Sequence, residues 1–494
     1  MLTVRWVWGL AAFVLLGVLA SLVAHRFTVA TVIFLLLLPL ASLVLPFALS
    51  QGVRNFSALR KQLTWWHALW LIVFLSALNF RRRELQDVSR TPVDFWAAYR
   101  ILLVSITALA LLVRLAFRQT EWTRSLFRGL VGALAIYSLV CAASTLWSVY
   151  PAWTLYKSLE YLVDVALIAA ILATVRSAQT YKALFNWTWV LLGGLLVTVW
   201  AGAVVWPEEA WVPTQGLLGV RLAGVLPALD QNSVGEYAAY LAIVALSRLH
   251  FSRCPGERAY YRVVFAFGLI TLFFSQTRVA IAGFLVAALL VLFFCKPTRL
   301  FSFLVLSAIL VVTVAVLLLT TNLGHFLWAL WTRGETPEML QSLSGRLTTW
   351  EFAWRMFLER PLTGYGAYAG GRFVVVAKQE ADPLGAGVLN SYVEVIVGTS
   401  IWALAPLLLA LAGSWRFLIK SLSNFSHSCL ERQLAVEAVG ILGIVTARSF
   451  FTDLLVWHAP LAFLLVLGYA ELLRRQRKRE MPTRWQDGRT AVLN

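Results

Sequence analysis

Arg221, Arg278 and Arg346 lie in three short polar stretches of a chain that is otherwise mostly apolar. The stretches read GVRLAGVLPALDQNSVGEYAAY at 219–240, SQTRVAIAG at 275–283 and SGRLTTWEFAWRMFLERPLTGYGAYAGGRF at 344–373. A fourth, LNSYVEVI at 389–396, adds Asn390 and Glu394, and the first also holds Asp230, Asn232 and Glu236. A guanidinium stays charged and binds two oxygens at once, so arginines at helix starts suit an anion such as a diphosphate. Ionisable groups at the ends of apolar spans are costly to desolvate and mark sites or pathways. Taken singly, Arg221 or Arg278 also reads as a snorkelling or topology-setting residue.

The elements that carry these residues follow from local pattern. SGRLTTWEFAWRMFLERP reads as a helix that Ser344 caps and Pro361 stops, with Glu351 and Arg355 forming an i,i+4 pair. Arg346, Trp350 and Trp354 recur every four residues and so share a face; the two tryptophans read either as an interfacial belt or as a sugar platform. LTGYGAYAGGRF is a glycine-rich loop suited to close backbone approach, with neither phosphate-loop nor dinucleotide spacing. His325 reads as a loop residue and His458 as a satisfied helix residue. The six histidines show no ligand spacing, so no metal site and no cofactor are expected. No disulfide is expected either: Cys141 falls inside a helix, and Cys254, Cys295 and Cys429 fall near the cytoplasmic side in the topology given below.

The surrounding chain is a membrane protein. Of its 494 residues 60% are hydrophobic, mean hydropathy is +0.76, and many apolar runs approach twenty residues. Candidate spans run 4–24, 28–49, 64–80, 94–114, 127–147, 154–175, 184–205, 233–250, 259–274, 278–295, 299–320, 391–415, 433–450 and 453–473. The fold class expected is therefore an all-α polytopic membrane protein of about 14 helices (12–14). The formal charge of +18 sits mainly between spans, a pattern that suits anionic lipid head groups and argues against nucleic acid. Placing both termini on the cytoplasmic side puts most of the basic loops and RRQRKR at 474–479 there; the basic stretch at 80–94 is the exception. Four regions follow: N-terminal helices over 1–321, an extramembrane loop over 322–390 on the outer face, C-terminal helices over 391–473, and a basic tail over 474–494.

The motifs resemble the O-antigen ligase and polymerase superfamily over about residues 140–470. STLWSVYPAWTLYKSLEYL at 144–162 is similar to its Trp-Ser-x-x-Pro segment and RLAGVLPALDQN to its Arg-x-x-Gly…Asn stretch. SQTRVAIAG is similar to its Ser-x-x-Arg turn, and SGRLTTWEFAWRMFLERPLTGYG to its Gly-Arg…Trp…Pro-x-x-Gly-x-Gly segment. The resemblance implies a GT-C type fold and metal-independent, inverting transfer of a glycan from undecaprenyl diphosphate to an acceptor hydroxyl on the periplasmic face of a bacterial inner membrane. Arg221, Arg278 and Arg346 then become candidates for holding the diphosphate, with Asn232, Trp350 and Asn390 as further substrate contacts. Partners implied are the undecaprenyl-diphosphate-linked oligosaccharide, an acceptor glycan, the lipid bilayer and other polysaccharide assembly proteins.

One departure bears on the chemistry. Family ligases carry His-Asn at the end of the long loop, whereas this chain has Leu389 before Asn390, and Ser400 and Ala403 replace later glycines. Leucine cannot take a proton, which leaves Glu380, Asp382 or Glu394 as substitute bases, and Glu394 is expected to be catalytic beside Arg278 and Arg346. The departure favours a polysaccharide polymerase over a ligase. Other readings are a transporter or flippase of a lipid-linked saccharide, and an inactive scaffold. Transporters favour paired half-chain repeats with helices broken near the midplane, and no such repeat is legible.

Overall fold

A computed structural model describes residues 48–80, 94–117, 120–214, 219–295, 342–343, 345–376, 388–423 and 430–490. In chain order the helices are α1 (Trp65–Ala77), α2 (Phe95–Ala116), α3 (Thr120–Leu126), α4 (Gly129–Ala143), α5 (Pro151–Thr174), α6 (Ala178–Val205), α7 (Gln231–Phe251) and α8 (Pro255–Ser275). They continue as α9 (Arg278–Cys295), α10 (Arg346–Glu359), α11 (Ser391–Leu422), α12 (Leu430–Ser449) and α13 (Leu461–Thr490). A 3-10 turn spans Ser144–Trp147 and a π-helical turn spans Gly370–Val376. The expected spans 4–24 and 299–320, most of 28–49, Ser344, His325, Glu380, Asp382 and Cys429 lie outside the described residues.

Helix starts follow from their first residues. Asp94 and Asp230 accept backbone N–H bonds from Ala97 and Ser233 at 2.8 and 3.0 Å, and proline opens α5 and α8 where its missing donor costs nothing. Six described segments are long and apolar enough to cross a membrane: α2, Gly129–Trp147, α6, α8, α9 and α11. The helices α5 and α12 carry charged groups along their length, among them Lys157, Glu160, Asp164, Glu437 and Arg448, and these are buried inside the protein. The protein is mostly helical, but not wholly so. Trp211–Pro213 (β1) and Val220–Leu222 (β2) pair antiparallel, with Val212 opposite Arg221, so Arg221 stands on a strand rather than in a loop.

The chain forms two compact units. Residues 1–63 and 189–341 make the first, residues 64–188 and 342–494 the second, and the boundary falls inside α6. Within the first, α7 packs on α8 and α9. Gly268 of α8 makes that approach possible, since a Cβ there would meet the Ala242 side chain and backbone at 3.0 Å.

Within the second unit, α11 lies against α4, α12 and α13, and α4 against α5. The apolar groups at its centre include Val165, Leu167, Ile168, Leu434, Ile441, Phe463 and Leu464, all fully buried. The N-terminus of α4 is held by Glu471 of α13, whose carboxylate accepts the Leu130 N–H at 3.0 Å and both guanidinium groups of Arg474 and Arg475. The residues read as a basic tail after 473 continue α13 as helix to Thr490.

Candidate active site

Each unit gathers one set of the residues singled out by sequence. In the first, Thr277 Oγ1 donates to the Gln231 carbonyl at 2.9 Å and Gln276 Nε2 donates to the Val220 carbonyl at 2.5 Å. These bonds join the residues next to Arg278, Asn232 and Arg221, so β2, the start of α7 and the turn before α9 meet. The turn forms because Gln276 adopts φ 50 and ends α8 sharply, letting Arg278 open α9. A Cβ at Gly235 would press on Ser275 and Thr277, so glycine admits the turn against α7. Arg221, Asn232 and Arg278 are each partly exposed. Asp230 has a structural duty as the α7 cap.

The second unit collects Arg346, Trp350, Asn390 and Glu394. Arg346 opens α10 with its guanidinium 5.9 Å from the Phe451 ring, and the Trp350 ring is 6.1 Å from the same ring. Trp350 Nε1 donates to the Val388 carbonyl at 3.0 Å, tying α10 to the residues that precede α11. Gly345, at φ 82, takes the N-cap position of α10, and its N–H donates to Ser342 Oγ. Trp350 packs on the cluster of Ala353, Met356, Tyr365, Val375 and Val397, whereas Trp354 is 52% exposed. The two tryptophans therefore part company: an i,i+4 step advances 400°, and only the first turns inward. The Glu351–Arg355 pair forms at 2.6 Å on the exposed side.

Asn390 caps α11, its amide oxygen accepting the N–H groups of Tyr392 and Val393 at 3.0 and 3.1 Å. Ser391 bonds the Thr452 carbonyl through both N–H and hydroxyl, and its oxygen accepts the Leu455 N–H. The start of α11 is thus stitched to the turn 450–460 between α12 and α13. That turn carries Asp453, a carboxylate absent from the sequence reading. Its side chain accepts hydrogen bonds from the Trp457 indole and the Asn390 N–H, and the Arg346 charge acts on it. Burial pushes the Asp453 carboxyl up to about 6, while those three donors pull the other way.

Glu394, one turn into α11, accepts the N–H groups of Val388 and Gly371, with Asp453 and Arg372 as its charged neighbours. A Cβ at Gly371 would overlap the Glu394 carboxylate, so glycine is required for this approach. Arg372 also lies over the Trp153 ring at 5.2 Å. Both carboxyls are buried, Glu394 at 5% and Asp453 at 6% exposure. Glu394 lines a small cavity with Tyr137, Cys141, Tyr368, Thr399 and Val456.

The glycine-rich loop holds this set in place. The N–H groups of Tyr365 and Gly366 donate to the carbonyls of Val397 and Gly398 at 3.0 and 2.8 Å. Those carbonyls are available because α11 is broken at Ser400, which sits at φ 59 and ψ −151. The same loop reaches the 144–154 motif: Trp147 Nε1 donates to Thr363 O, Ala367 N–H to Ser144 Oγ, and Thr154 Oγ1 to Ala367 O. His458 is not a helix residue but part of the 450–460 turn, with Nε2 2.7 Å from Ser76 Oγ and Nδ1 3.0 Å from Asp164.

An arginine beside a ring pair, two adjoining buried carboxyls and a loop fixed by backbone bonds can bind an anion and move a proton at one place. Residues 263–406 match the O-antigen ligase family model. The match spans Arg278, Arg346, Trp350, Arg372, Asn390 and Glu394, and it supports the superfamily resemblance read from the motifs. Arg221, Asn232 and Asp453 fall outside it. A comparison with curated proteins gives no match. The match covers less than a third of the chain, and together with the six long apolar segments it supports a multi-pass membrane protein that resembles O-antigen ligases over that part. Asp453 was invisible in the sequence because it lies 59 positions past Glu394, in a stretch with no polar pattern; only the Ser391–Thr452 bonds bring the two together.

Proposed function

We propose that the protein is a membrane glycosyltransferase that moves a glycan from undecaprenyl diphosphate to an acceptor hydroxyl. The observation that carries this reading is the meeting of Arg346, Asp453 and Glu394 around the start of α11, inside a protein with an O-antigen ligase segment. Arg346 contacts the diphosphate and stabilises the charge that grows on the leaving phosphate; Arg221 and Arg278, of the first unit, are assigned anion binding by the chemistry of their side chains. Asn232 and Trp350 are further substrate contacts. Asn390 retains only its amide N–H₂ for that purpose, because its oxygen caps α11. A buried carboxyl at the α11 start receives the acceptor proton, doing what Leu389 cannot.

The reaction is read as metal-independent and inverting, on the periplasmic face of a bacterial inner membrane, in a GT-C type fold with both termini cytoplasmic. Polymerisation of lipid-linked repeat units is preferred over transfer to a separate acceptor, because the ligase histidine is replaced by Leu389. The test uses purified protein with a synthetic undecaprenyl-diphosphate oligosaccharide and no other acceptor. A ladder of longer lipid-linked chains is the expected product. Tight donor binding with no ladder, and transfer only when a second acceptor is supplied, would make it a ligase; release of intact donor across a vesicle membrane would make it a transporter.

A further inference from the structure

The division of labour between the two buried carboxyls goes beyond this reading and rests on it. Glu394 and Asp453 are electrostatic neighbours, both more than nine-tenths buried, and each leaves one oxygen, Glu394 Oε2 and Asp453 Oδ1, with no hydrogen-bond partner. Two like charges in one buried place do not both stay ionised, and buried oxygens with no donor are rare enough to need a cause. A single proton held by the pair supplies both.

The surroundings decide which carboxyl keeps it. Asp453 lies on a turn outside the helices and receives the Trp457 indole N–H, the Asn390 N–H and the field of Arg346. It is also two residues from Phe451, whose ring neighbours Arg346 and Trp350. Glu394 has its own two N–H donors, from Val388 and Gly371, and the field of Arg372. What separates the two is that Asp453 faces Arg346, the proposed diphosphate ligand, whereas Glu394 lies on the helix against the small cavity formed with Tyr137, Cys141, Tyr368, Thr399 and Val456. The charged groups facing the pair are Arg346 from α10 and Arg372 from the π-helical turn; Tyr137 and Cys141 of α4 and Tyr368 face the cavity side.

We propose that Asp453 is the general base of the transfer and that Glu394 is its protonated partner, holding Asp453 oriented and ionised. In the step, the acceptor hydroxyl oxygen forms a bond to the anomeric carbon while its proton passes to Asp453. The bond from that carbon to the phosphate oxygen breaks, and its electron pair leaves with the lipid diphosphate. The pair is then neutral, and it returns to its starting state by releasing one proton to water.

The experiment compares full-length Asp453→Asn and Glu394→Gln, each checked for a wild-type melting profile and for binding of the synthetic donor. Asp453→Asn is expected to lose about 100-fold or more in single-turnover transfer with donor binding kept. Glu394→Gln is expected to stay within about tenfold, because a glutamine amide keeps a donor where the protonated carboxyl would have one. Infrared titration of the same proteins gives a second readout: a protonated-carboxyl band present in the wild type at neutral pH and missing in Glu394→Gln. The reverse order of activities, wild-type rates in Asp453→Asn, or a band that survives in Glu394→Gln would each overturn the assignment. If the wild type transfers no glycan, the glycosyltransferase reading fails on that result, while the infrared band still decides where the proton sits.

Discussion

Ser400 Oγ donates to the carbonyl of Pro361, 39 residues earlier in the chain, and does so from a left-handed backbone. The residue interrupts α11, and φ 59 with ψ −151 is territory that glycine enters freely and serine does not. The bond to Pro361 offsets part of that cost.

Ser400→Ala keeps the strain and loses the bond, so it should destabilise by about 1–2 kcal/mol. Ser400→Gly loses the bond but relieves the backbone, and it should come close to the wild type. Thermal melts in detergent separate the two. An alanine variant as stable as the glycine variant would show that the position is not strained.

Arg346→Ala and Arg278→Ala should each abolish product formation while leaving the melt within a few degrees of wild type. Lysine at either position should rescue poorly, since an ammonium cannot give two parallel bonds to phosphate oxygens. Equal rates for arginine and lysine would reduce these residues to point charges.

The transfer rate should fall as pH drops through about 6, where the Asp453 carboxyl takes up its proton. The stability change runs the other way. Because burial raises this group above its ordinary 3.8, the folded protein holds more protons than the unfolded chain across that window. Its contribution to stability is therefore largest below pH 4 and declines as pH rises to 6. An acid limb centred near 4, in the range of an unperturbed carboxyl, would remove Asp453 as the base.

Lys157 and Glu160 pair at 2.6 Å with 2% and 1% of their side chains exposed. Replacing one partner, as in Glu160→Gln, should cost about 3–5 kcal/mol by leaving a buried charge uncompensated. The double variant Lys157→Met, Glu160→Met should recover most of the loss. By contrast Glu351→Gln, from a pair more than 60% exposed, should change stability by less than about 0.5 kcal/mol.

Trp350→Phe removes the bond to Val388 and should lower stability by about 1 kcal/mol. Val388 in turn bonds Glu394, so the same change should lower turnover more than donor affinity. An unchanged turnover would mean that the α10 contact does not position the carboxyl pair.

The legible parts of the sequence were those governed by neighbours along the chain. Arg346, Trp350 and the Glu351–Arg355 pair follow from helical spacing, and α10 runs to Glu359, just before Pro361. Asn390 and Glu394 at a helix start follow in the same way. What escaped depends on contacts distant in sequence. The break at Ser400 frees carbonyls that the glycine-rich loop bonds from 32 residues upstream, so its own neighbourhood, GTSIWALAP, reads as unbroken helix. The hairpin holding Arg221 has strands of three residues, too short for an alternating pattern to register. Trp354 ends up exposed while Trp350 turns inward, because a four-residue repeat drifts around a helix with each step.

The interruption of α11 has a mechanical consequence. A continuous helix transmits a tilt along its full length, because each turn is bonded to the next. Here the residues from Ser391 to Thr399 are fastened sideways, to Tyr365 and Gly366 on one side and to Thr452 and Leu455 on the other. The short segment bearing Glu394 is therefore tied to the loop and the turn that flank it, and the break at Ser400 separates it from the longer stretch down to Leu422. A substrate that pulls on the glycine-rich loop would act on the segment bearing Glu394 through the bonds from Tyr365 and Gly366 to Val397 and Gly398.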